Sequence, residues 1–152
     1  MKKIKCYHFC SNEFYNDLIN KGMIIADNRI NNKADSTKYG YDYVFNKMKI
    51  NDGNGMFFSW VNYKYTGWGR DMIITKEENK YKLLELEVDD YILTDYNNWC
   101  SFCLDLEEKV PNAEDMYSTI YNLDDEEAIQ VLLRKISVND IVNVYNVDRK
   151  II

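Results

Sequence analysis

The sequence predicts an α+β domain, and three observations carry that prediction. Strand-forming residues alternate at the start, in KKIKCYHF, and strand-like runs return as MFFSWVNY, DMIIT, YKLLELEV, YILTDY, AIQVLLRKI and DIVNVYNV. Helical spacing of apolar residues falls mainly in the first third, at Phe14, Tyr15, Leu18 and Ile19 and again at Tyr41, Val44, Phe45 and Met48. Strands and helices do not alternate as βαβ units, so mostly antiparallel sheet with peripheral helices is expected.

Taken in order, KKIKCYHF opens as a strand. Ser11 is placed to cap the helix that follows, and Gly22 to close it in the left-handed conformation that glycine adopts most easily. MII is a short strand, and the asparagine-rich residues 27–35 form a loop. The second helix, through Tyr41 and Met48, ends before the turn NDGNG. MFFSWVNY is a strand, YTGWGR a loop, and DMIIT and YKLLELEV form a hairpin through KEENK. YILTDY is a short strand. Residues 97–106 form a helix with Trp99, Phe102, Cys103 and Leu106 on one face. A short helix through Met116 and Ile120 lies in the acidic stretch 107–126. AIQVLLRKI and DIVNVYNV are read as a closing pair of strands.

A chain of 152 residues with one proline and six glycines contains no Pro/Gly linker, so residues 1–152 are expected to form a single domain. Its apolar runs are too short to span a bilayer and the basic start, MKKIK, is not followed by an apolar signal core. A cytoplasmic location without membrane association is the expectation. The net charge of −6, with no basic run, argues against sequence-independent nucleic-acid binding, which needs lysine and arginine on phosphates.

The cysteines, Cys6, Cys10, Cys100 and Cys103, read as CxxxC followed by CxxC, the count and spacing of a zinc set. Zinc pairs usually sit on turns that let both thiolates converge. Here the first pair falls on a strand, where Cys6, His8 and Cys10 share a face, and the second falls on a helix. Core packing is the expectation, with no metal and no redox pair. Asp89-Asp90 and Asp124 to Glu127 read as solvated turns.

Three segments set the functional expectation. YHFCSNEFYNDLINKGMI is a strand with His, then Ser, then a helix ending in Gly. GNGMFFSWVNYKY is Gly-x-Gly before an aromatic strand. IQVLLRKISVNDIVNVYNV is a strand led by an amide residue, a turn and a final strand. In this order they resemble the ADP-ribosyltransferase superfamily, and the resemblance covers most of the chain. The LELEVDDYILTDYNNW centre is also similar to a small bacterial and phage family of domains of unknown function.

The resemblance implies two packed, mostly antiparallel sheets with NAD in the cleft between them. It implies transfer of ADP-ribose from NAD to a macromolecular acceptor, protein rather than nucleic acid given the acidic charge, in bacterial or phage defence, counter-defence or as a toxin. On this basis His8 holds the adenosine-side ribose, Phe57 packs on the nicotinamide, Trp68 supplies a second stacking aromatic, and Gln130 touches the nicotinamide-side ribose. Glu127 precedes Gln130 as a substitute carboxylate. Phe9, Ser11, Ser59, Tyr65 and Arg70 complete the expected NAD site. Phe9 stands where the family has glycine, Phe57 where it has tyrosine, Tyr65 where it has a small hydroxyl residue and Gln130 where it usually has glutamate. An amide hydrogen-bonds a hydroxyl but carries no charge to stabilise a cation. The alternative is therefore a catalytically inactive member of the same fold, acting as a nucleotide-binding or protein-binding inhibitor module. Should His8, Phe57 and Gln130 not line one cleft, both readings fail on the site that the resemblance implies, and a tyrosine-rich interaction protein remains.

Overall fold

The computed structural model describes residues 3–26, 56–63, 72–76, 80–113 and 129–149. In chain order the elements are β1 (Ile4–Ser11), α1 (Asn12–Lys21), β2 (Met23–Ile25), β3 (Phe57–Trp60), β4 (Met72–Thr75), β5 (Tyr81–Val88), β6 (Ile92–Asp95), α2 (Tyr96–Glu107), β7 (Ile129–Leu133), β8 (Lys135–Ser137), a 3-10 turn at Val138–Asp140 and β9 (Ile141–Arg149). Seven strands form one sheet in the order β4-β9-β5-β1-β3-β7-β6, and β2 pairs with β8 in a second, two-stranded sheet. All the pairings are antiparallel. The expected mostly antiparallel α+β architecture is present, with two sheets of very unequal size.

The caps of α1 fall where the sequence places them. Ser11 Oγ accepts from the Phe14 amide at 3.1 Å, and Gly22, at φ 80°, donates its amide to the Leu18 carbonyl. Each satisfies a backbone group that a helix end leaves without a partner. Leu18 is the fully buried residue of this helix, and it carries α1 onto the sheet beside Phe14 and Tyr15.

The core forms where α1, β2 and β8 cover one face of the large sheet. Cys6 and Cys10 of β1, Leu84, Leu86 and Val88 of β5, and Val131 and Leu133 of β7 meet Leu18 and Ile136 there. Each large apolar side chain so buried contributes about 1.5–3 kcal/mol. A bulge between Glu85 and Leu86 controls which β9 residues join this core. Glu85 pairs with Asn143 but Leu86 pairs with Ile141, so Val142 is the extra residue and is 46% exposed. In a regular strand without the bulge, Ile141, two residues before Asn143, would fall on the face of Asn143. With it, Ile141 packs into the core.

Three expectations about strand neighbours are corrected. DMIIT and YKLLELEV do not form a hairpin, because β9 lies between β4 and β5 and pairs with both. IQVLL and DIVNVYNV are not neighbours, since β7 pairs with β3 and β6. AIQVLLRKI is not one strand either: it breaks at Arg134, whose carbonyl accepts from the Ala26 amide at 2.8 Å, and β8 leaves to pair with β2. Long-range pairing decides all three. The expected helices through Tyr41–Met48 and through Met116 and Ile120 lie outside the described residues.

Two substitutions test this account by chemical denaturation. Gly22→Ala forces a Cβ into the left-handed region and is expected to cost about 1 kcal/mol, although nothing lies within 4 Å of where the methyl would stand. Leu84→Ala empties a fully buried site and is expected to cost about 2–5 kcal/mol, against about 1 kcal/mol or less for Val144→Ala, whose side chain on β9 is 38% exposed.

Candidate functional site

The large sheet is narrowest between β1 and β3. β1 pairs with β5 over eight residues, from Ile4 to Ser11, but with β3 only at Tyr7 and Trp60. On one side of that pair the His8 imidazole takes over from the backbone, Nδ1 donating to the Phe58 carbonyl at 2.7 Å. On the other side the chain after β3 stays with β7, the Val61 amide donating to the Ile129 carbonyl at 3.2 Å. The joint thus divides the sheet into β4-β9-β5-β1 and β3-β7-β6.

His8 lies on the core face, in register with Leu84, between Cys6 and Cys10. Its ring meets Phe57 edge-on at 5.7 Å and Phe14 of α1 at 5.8 Å, and Ser59 Oγ lies 3.4 Å from Nδ1. Because a carbonyl only accepts, Nδ1 carries the proton. Burial outweighs the bond to Phe58 and pushes the imidazole down to about 4, so it is neutral near pH 7. The neighbouring thiols respond in the opposite sense: burial pushes Cys6 and Cys10 up to about 12. They are packed thiols, as the strand geometry leads one to expect, and Cys103 is buried as well.

The opposite face carries a different set. Tyr7, Glu85 and Asn143 stand in one row across β1, β5 and β9. Tyr7 donates its hydroxyl to Glu85 Oε1 at 3.1 Å, the Asn143 amide donates to Oε2, and Lys5 Nζ lies 3.8 Å from Oε1. The Asn143 hydrogen bond outweighs burial and, with the Tyr7 hydroxyl and the charge of Lys5, holds the Glu85 carboxyl below its ordinary value. Burial and the same carboxylate push the Tyr7 phenol up to about 12.

A groove of about 610 Å³ opens beside the joint, where residues 4–7 and 61–63 diverge. Ile4, Val61, Leu93 and Ile129 supply apolar walls; Lys5, Tyr7, Asn62 and Tyr63 supply the polar groups. The rings of Tyr7 and Tyr63 meet edge-on at 5.5 Å. This volume is within the usual range for small-molecule sites.

The residues expected to form an NAD site are not all brought together. His8, Phe57 and Ser59 are on one face. Gln130 pairs with Trp60, which pairs with Tyr7, so its side chain is on the other face from His8, buried, with Oε1 lacking a hydrogen-bond partner. The single cleft expected for His8, Phe57 and Gln130 is therefore corrected: strand alternation puts the histidine and the glutamine on opposite sides of the sheet. Phe9 also lies on the far face, stacked on Tyr81 at 5.0 Å, and the Ser11 hydroxyl serves the helix cap. Glu127, Tyr65, Trp68 and Arg70 lie outside the described residues.

Lys5, Tyr7, Tyr63 and Glu85 escaped the sequence reading. The signal for Glu85 was present in LLELEV, where a carboxylate interrupts an apolar run and calls for a buried partner. Comparison with protein-family models, with curated proteins and with solved structures finds no match. Among the described residues no helix is long and apolar enough to cross a membrane.

The buried imidazole has a measurable consequence. Its folded pKa, about 4, lies below the ordinary 6.5, so as pH falls the unfolded chain takes up the proton first. The contribution is fully present above pH 6.5 and is lost progressively towards pH 4, by about 3 kcal/mol in all. His8→Asn retains a donor for the Phe58 carbonyl and removes this titration. Denaturant unfolding at a series of pH values should show the wild type losing stability more steeply than the variant across that window. Parallel curves would contradict the assignment.

Proposed function

We propose that this protein is a nucleotide-binding module that does not turn its ligand over, and that the groove beside the β1–β3 joint is where the ligand sits. The observation that carries this reading is the groove itself. Its apolar walls offer a flat base a place to pack, and its two phenols, one amide and one ammonium offer polar contacts. The separation of His8 from Gln130 by the sheet removes the nucleotide site that the resemblance implies, so this reading rests on a groove whose described lining includes neither residue; it also supports the absence of turnover, since transfer of ADP-ribose needs its ribose-binding groups in one place. The acidic charge and the absence of a basic run in the sequence favour a free nucleotide over a nucleic-acid strand.

The second reading is the NAD-dependent ADP-ribosyltransferase, acting on a protein acceptor. The grouping of His8, Phe57 and Ser59 favours it, because the resemblance assigns all three to the NAD site.

The two readings make different residues essential. Calorimetric titration of NAD and ADP-ribose into the full chain is expected to show micromolar-range binding with no nicotinamide released. Tyr63→Ala should weaken it about tenfold, a loss of about 1.4 kcal/mol, and His8→Asn should leave it unchanged. Nicotinamide release abolished by His8→Asn would favour the transferase instead. No binding of either nucleotide would overturn the nucleotide-binding reading.

A further inference from the structure

Among the described residues, Lys5 is the one charged side chain that lines the groove. It stands on β1 two residues before Tyr7, on the same face, and its side chain is 53% exposed. The ion pair it makes with Glu85 is long, at 3.8 Å, near the outer limit at which such a pair counts as formed. Glu85 does not depend on it. Both carboxylate oxygens accept from neutral donors, Oε1 from the Tyr7 hydroxyl and Oε2 from the Asn143 amide. Moving the ammonium away therefore leaves no carboxylate oxygen without a hydrogen bond.

Glu87, the cross-strand partner of Lys5 on β5, is a further charged group beside it and is exposed, as is Lys3, two residues before Lys5. Two carboxylates, Glu85 and Glu87, thus stand beside the Lys5 ammonium without being among the described groove-lining residues. They repel an anion that has no other hold on the site. An anion whose ring is already packed on Ile4, Val61, Leu93 and Ile129 is held near Lys5 and gains a charge-assisted hydrogen bond. The chemistry that fits is a flat apolar ring and a phosphate in one molecule.

We propose that Lys5 reads the phosphate of the bound nucleotide, so that the groove selects nucleotides over nucleosides. This rests on the nucleotide-binding reading above. The Tyr7–Glu85–Asn143 row is the positioning device. It satisfies Glu85 without Lys5, and it anchors the Tyr7 ring that shares the groove wall.

The test uses ADP and adenosine as probes on the full chain, with wild type, Lys5→Met and Lys5→Arg compared by calorimetry. ADP is expected to bind the wild type at least tenfold more tightly than adenosine. Lys5→Met should remove that advantage, weakening ADP binding at least tenfold more than adenosine binding, and Lys5→Arg should keep it. Raising the salt concentration should weaken ADP binding to the wild type more than to Lys5→Met. If adenosine binds but ADP gains nothing over it, or if Lys5→Met weakens both equally, the role of Lys5 is refuted while the nucleotide reading stands. If neither probe binds, both fall together.

Discussion

The constraint on which the rest of the structure depends is the narrow joint between β1 and β3. A central pair of strands normally shares a ladder of backbone hydrogen bonds along most of its length. Here one residue pair, Tyr7 and Trp60, does that work, and a side chain does the rest. The imidazole of His8 donates to the Phe58 carbonyl, the kind of bond an amide of the neighbouring strand would otherwise supply. A buried carbonyl left without a donor costs about 1–3 kcal/mol, so the histidine has a structural reason to be there. Its ring is also held between Phe14 and Phe57, which ties helix α1 to both halves of the sheet.

The same joint creates the groove. Strands that separate must leave a space, and at this end the space is walled by the ends of both halves. Polar groups around it are arranged so that little is left unsatisfied. Glu85 sits buried between Leu84 and Leu86, yet both its oxygens are bonded and Lys5 lies nearby. Gln130 differs, with a buried side-chain oxygen that has no partner. Native structures contain few such groups, and each invites an explanation in terms of water, ligand or strain. Its place on the Tyr7 face, away from His8, is what separates the two functional readings.

Much of the fold was legible because it is locally encoded. The caps Ser11 and Gly22, the apolar stripe of α1, the helix over residues 96–107 and nearly every described strand follow from spacing and residue type. The shared face of Cys6, His8 and Cys10 follows from the period-two alternation of a strand, and the structure places all three towards the core. Strand neighbours were not legible. The turn KEENK suggests a hairpin, but β9, more than sixty residues later, inserts between the two arms. No local pattern reports which distant strand will supply the better-matched face.

For the candidate site, the sequence by itself determined the chemical types available: one histidine, an amide in the IQVLL strand, a carboxylate amid leucines and many tyrosines. It also determined which residues within one strand share a face, because alternation is a property of the backbone. Tertiary structure alone decided which faces of different strands coincide. One register, Tyr7 with Trp60 and Trp60 with Gln130, places the glutamine with the tyrosine and not with the histidine. A slip of one residue at either pairing would reverse that outcome. Register is set by summed burial and turn geometry across the whole sheet, and so it is visible only once the chain has folded.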